Sequence, residues 1–78
     1  MNLSARLYVV DDETLQREAL STLLEQEGYV VTGFSNAREA LNALREQPCD
    51  LLLTDLRLPC LSGTELIREA LKISPDLS

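Results

Sequence analysis

The sequence predicts an α/β fold, a doubly wound parallel sheet with helices on its faces. Three observations predict it. The runs Leu7–Val10 and Leu51–Leu53 are apolar at every position, as strands covered on both faces are. Strand-like and helix-like segments alternate three times, without linker, repeat or low-complexity stretch. Each apolar run is followed within two residues by aspartate, and in open α/β sheets ligands gather outside the carboxyl ends of the strands.

The elements follow in order. After Leu7–Val10, the apolar residues Leu15, Ala19, Leu20, Leu23 and Leu24 recur at helical spacing between Glu13 and Gln26, and Gly28 is the expected stop. Tyr29–Phe34 is aromatic and β-branched but interrupted by Thr32 and Gly33, which fits an edge strand. Asn36 then caps a second helix, with Glu39 completing a capping-box-like pair and Ala37, Ala40, Leu41 and Leu44 as its buried stripe. Leu51–Leu53 needs a neighbour on each side. Ser62-Gly63-Thr64-Glu65 opens a third helix with Leu66, Ile67, Ala70 and Leu71 on one face, and Pro75 closes it. Right-handed crossovers put the first strand in the middle, in spatial order 2-1-3.

Composition narrows the function. The chain has 78 residues, one small domain, with 45% hydrophobic and 26% charged residues. A net charge of −6, with aromatic residues limited to Tyr8, Tyr29 and Phe34, argues against direct nucleic-acid binding. No apolar run is long enough to span a membrane, and the first residues lack the apolar stretch of a signal peptide, so a cytoplasmic protein is expected. Histidine is absent, and Cys49 and Cys60 lack metal-ligand spacing, which sets a zinc site aside. The two thiols should lie at opposite ends of the third strand and remain unpaired.

The acidic groups carry the chemistry. Asp11, Asp12 and Asp55, converging at strand ends, offer the oxygen ligands that Mg²⁺ prefers, with a backbone carbonyl from the loop after Asp55 as a fourth. Each residue also has a plainer reading. Asp11 or Asp12 could cap the first helix, Glu13 could be a first-turn carboxylate, and Asp55 could be a turn residue. Their joint occurrence in the right strand contexts favours the site.

Through Val9-Val10-Asp11-Asp12-Glu13 and Leu53-Thr54-Asp55-Leu56-Arg57-Leu58-Pro59-Cys60-Leu61-Ser62-Gly63, the chain resembles the receiver domain of two-component response regulators, which has a flavodoxin-like fold. The wording around Asp55 is most similar to the nitrogen-regulation class of transcription activators. The resemblance implies that Asp55 is the phosphoacceptor, that Asp12 binds Mg²⁺ directly, that Asp11 does so largely through water, and that Arg57 contributes its backbone carbonyl. It implies a sensor histidine kinase as phosphodonor and an output domain in a longer chain, DNA-binding in a transcription activator. It also implies a signalling module rather than an enzyme, with Mg²⁺-dependent self-phosphorylation its only chemistry.

The family pattern continues with a fourth strand bearing Ser or Thr and a fifth bearing Lys. Residues 1–78 are therefore expected to be an incomplete receiver, the amino-terminal βαβαβα portion. Lys72, in the last turn of the third helix, is no substitute. An unpaired third strand then offers a surface for self-association. Two other readings compete. A phosphorylation-incompetent fragment would serve only as an interaction module. A Mg²⁺-dependent phosphohydrolase would need a second carboxylate just after Asp55, and Leu56-Arg57-Leu58 has none.

Overall fold

A computed structural model of the chain describes residues 5–55 and 62–77. Three strands, β1 (Arg6–Val10), β2 (Val30–Phe34) and β3 (Leu51–Thr54), alternate with three helices, α1 (Thr14–Gln26), α2 (Ala37–Glu46) and α3 (Gly63–Ile73). The strands are parallel and run in the order β2-β1-β3, as the crossover argument requires. Leu7 pairs with Val31 on one side and Leu51 on the other; Val10 pairs with Phe34 and Thr54. β1 is therefore interior to the sheet, and Leu7, Tyr8, Val9 and Val10 are all buried.

Alternation of the pleat divides the strand between two faces. Tyr8 and Val10 join Ala37, Ala40, Leu41 and Leu44 of α2, Cys49, and Leu66 and Ala70 of α3 in the main core cluster. Within it, the Tyr8 ring meets Phe34 edge to face at 5.0 Å, and the Tyr8 hydroxyl donates to the Gln47 carbonyl. Leu7 and Val9 face the other side, where α1 lies.

Local signals act as the sequence predicts at three helix ends. The Asn36 side chain accepts from the Glu39 amide at 2.9 Å, and Ser62 Oγ accepts from the Glu65 amide at 3.2 Å. Gly28 adopts φ +98°, its amide bonding Glu25 and that of Tyr29 bonding Leu24, the paired closure that a left-handed residue permits.

One expectation is corrected, and two apolar helix faces turn out to be only partly covered. Glu13 is not in the first turn of α1; it is the residue before it and makes no side-chain cap. The apolar stripe of α1 is not buried: Leu15 is 82% exposed and Leu23 61%, and no residue of that helix is buried. On α3, Leu66 and Ala70 are buried, but Ile67 and Leu71 stand outside the core. Periodicity reports that a face is apolar, whereas burial requires something packed upon it, and α1 has only one face of a three-stranded sheet.

Candidate acidic cation site

The strand ladders themselves hold two of the aspartates. The Asp11 amide donates to the Phe34 carbonyl at 3.0 Å, one step beyond β1, and the Asp55 amide donates to the Val10 carbonyl at 3.0 Å. Asp11 and Asp55 thus leave adjacent strands at the same level of the sheet, which is why a pair distant in sequence meets in space. Asp11 Oδ1 accepts from the Glu13 amide at 2.9 Å, closing a tight side-chain turn. Asp12 is the exposed residue at the apex of that turn. Neither aspartate makes a side-chain cap on α1, so the plainer capping reading does not hold.

The three carboxylates converge. One oxygen from each of Asp11, Asp12 and Asp55 lies within 4.8 Å of the others. In a Mg²⁺ octahedron with bonds of about 2.1 Å, neighbouring ligand oxygens sit ~3 Å apart and opposite ones ~4.2 Å. Separations up to 4.8 Å therefore suit a mixture of direct and water-mediated ligands. All the donors are hard oxygens, and bringing three anions together is unfavourable unless a cation offsets their repulsion. The donor set fits a hard divalent cation.

A 350 Å³ pocket opens beside them, bounded by Asp11, Asp55, Thr54 and Leu53 on the sheet side and by Gln16 and Leu20 of α1. Thr54 Oγ1 donates to the Asp55 carbonyl at 2.9 Å, further fixing the chain at the end of β3. Arg57, predicted to offer its carbonyl, lies outside the described residues, as do Pro59 and Cys60.

One contributor escaped the sequence reading. Arg17 of α1 reaches back so that Nη1 donates to the Asp11 carbonyl at 2.7 Å. A helical arginine reads as a solvated side chain, and its signal lies elsewhere, in Gly33. A glycine inside a strand often marks a close approach, and a Cβ there would meet Cγ and Cδ of Arg17 at 3.2 Å.

Comparisons with known proteins agree on one family. The family model described as "Response regulator receiver domain" matches residues 7–78. The response regulator receiver protein CpdR of Brucella abortus is 43% identical over 72 residues, 92% of this chain and 60% of that protein. The C4-dicarboxylate transport transcriptional regulatory protein DctD of Rhizobium meliloti is 32% identical over 77 residues, 99% of this chain but 17% of that protein. Among solved structures, a CheY-like receiver domain protein from Methanospirillum hungatei superposes with a TM-score of 0.93 at 34% identity, covering 97% of this chain and 61% of that one. The chain thus spans less than two thirds of the length of these relatives.

Proposed function

Because the chain belongs to the response regulator receiver domain family, we propose that it is the phosphoacceptor part of a two-component response regulator, with Asp55 accepting a phosphoryl group from a sensor histidine kinase. The observation that carries this reading is the convergence of Asp11, Asp12 and Asp55 at the carboxyl ends of β1 and β3.

In the proposed reaction, a carboxylate oxygen of Asp55 attacks the phosphorus of a phosphohistidine. The new O–P bond makes an acyl phosphate as the N–P bond breaks, and its electron pair returns to the imidazole. Asp12 would bind Mg²⁺ directly, Asp11 largely through water, and Asp55 and the Arg57 carbonyl would complete the protein's ligands. When bound, the ion supplies charge neutralisation for the phosphoryl oxygens, the main requirement in phosphoryl transfer. The chain's own part is positional. The ladder bonds at Asp11 and Asp55 fix the backbone from which the carboxylates extend, so little reorganisation is needed when the donor docks.

The remaining phosphoryl contacts, a Ser or Thr and a Lys on further strands, belong on this reading to residues outside these 78. So does an output domain, of the transcription-regulating kind that DctD's name describes. On this reading the protein would work in the cytoplasm with its kinase; separately, no helix among the described residues is long and apolar enough to cross a membrane. The test is incubation with acetyl phosphate and Mg²⁺, followed by intact-mass measurement. The expected result is one phosphoryl group, lost in Asp55→Asn and lost on chelation. A label that persists in Asp55→Asn overturns the assignment.

A further inference from the structure

Arg17 is out of character for its helix. It is half-buried, while Leu15, Leu20 and Leu23 of α1 are all more exposed. Its guanidinium is directed at a main-chain carbonyl next to the acidic site, with a short, charge-assisted bond of 2.7 Å. The stem lies across β2 at Gly33, where a Cβ would come within 3.2 Å of both Cγ and Cδ. Two separate features, the bond and the missing side chain beneath it, therefore favour the same placement.

The bond completes the hold on Asp11. Its amide is tied to Phe34, its carboxylate Oδ1 to the Glu13 amide, and its carbonyl to Arg17. Fixing that carbonyl fixes the plane of the Asp11–Asp12 peptide, and with it the direction in which Asp12 leaves the backbone. We propose that Arg17 is a positioning residue for the cation site, acting through the Asp11 carbonyl, and that Gly33 is the space that lets it reach. The inference rests on the reading of the acidic pocket as a Mg²⁺ site.

Outer partners that orient ligands commonly change metal affinity by about tenfold or more when removed. A guanidinium acting only through its positive charge predicts the opposite sign, since removing it would make the pocket more attractive to a cation. The experiment is a Mg²⁺ titration of the whole chain followed by amide NMR shifts, with thermal melts in chelator alongside. Arg17→Ala is expected to weaken Mg²⁺ binding about tenfold, and Arg17→Lys, which keeps a donor on a long stem, to recover most of it. Gly33→Val should weaken binding in the same way by displacing the stem, without lowering the melting temperature in chelator, because valine favours a strand. Mg²⁺ binding by folded Arg17→Ala that is unchanged or tighter overturns the proposal. Should Arg17→Ala not fold, unchanged affinity in Gly33→Val overturns it instead. Wild-type chain with no saturable, Asp12-dependent Mg²⁺ binding defeats the site reading itself, a result distinct from a wild type that binds and an Arg17 variant that binds equally.

Discussion

Asp12 is the residue on which the cation reading turns. Replacing it by Asn removes one of three mutually repelling charges, so Asp12→Asn should melt higher than wild type in chelator and lose the Mg²⁺ dependence. For the wild type, stabilisation should be about 0.4 kcal/mol near the dissociation constant and about 2.7 kcal/mol at a hundredfold excess. Melts across a Mg²⁺ series measure both effects. A second residue-scale prediction concerns Cys49 and Tyr8. Burial pushes the Cys49 thiol up, and burial, then the neighbouring Cys49, pushes the Tyr8 phenol up. Both groups are neutral when protonated, so the folded chain holds these protons more tightly than the unfolded one. Their contribution is full below the unfolded values, from about pH 8.5 for the thiol, and is lost as pH rises through the folded ones. Urea midpoints should fall across that range, less steeply in Cys49→Ala. The acidic triad was legible in the sequence because each aspartate follows an apolar run whose strand identity is plain. Arg17 was not, because its role depends on what a glycine on another strand leaves open.

Helices α1 and α3 both carry apolar residues at helical spacing, but they differ in what covers them. Leu66 is fully buried in the core cluster with Tyr8, Val10 and the apolar stripe of α2, so Leu66→Ala should cost about 2–5 kcal/mol. Leu15→Ala, at a position 82% exposed, should change stability by less than about 0.5 kcal/mol. Asn36→Ala removes the cap on the Glu39 amide and should cost about 1 kcal/mol. Denaturant unfolding of the three variants ranks them, and equal losses at Leu15 and Leu66 would contradict the layering. The elements themselves were readable from local chemistry: Gly28 for the stop of α1, Asn36 and Ser62 for the starts of α2 and α3, unbroken apolar runs for β1 and β3. Which apolar stripe lies in the core was not readable, since that depends on partners remote in sequence.

At the scale of the whole molecule, the described sheet has three strands, and no described strand pairs with the outer side of β3. Leu51, Leu52 and Leu53 on that edge are only half-buried. An open apolar edge is a template for association, and the 78-residue chain is expected to self-associate as concentration rises. Sedimentation at several concentrations checks this; a sharply melting monomer throughout would refute it. The uneven covering of the two sheet faces has a further consequence, for motion. Stability is distributed locally, and segments with few buried contacts open without the rest. Amide protons of α1 should therefore exchange with solvent well before those of β1, which is paired on both sides. Arg17 rides on α1, so each excursion of that helix releases the Asp11 carbonyl, while the ladder bond still anchors the Asp11 amide. If the acidic cluster holds Mg²⁺ as proposed, its backbone support at Asp11 would loosen with each opening of the helix, and the ion should slow deuterium uptake across a helix that contributes no ligand to it.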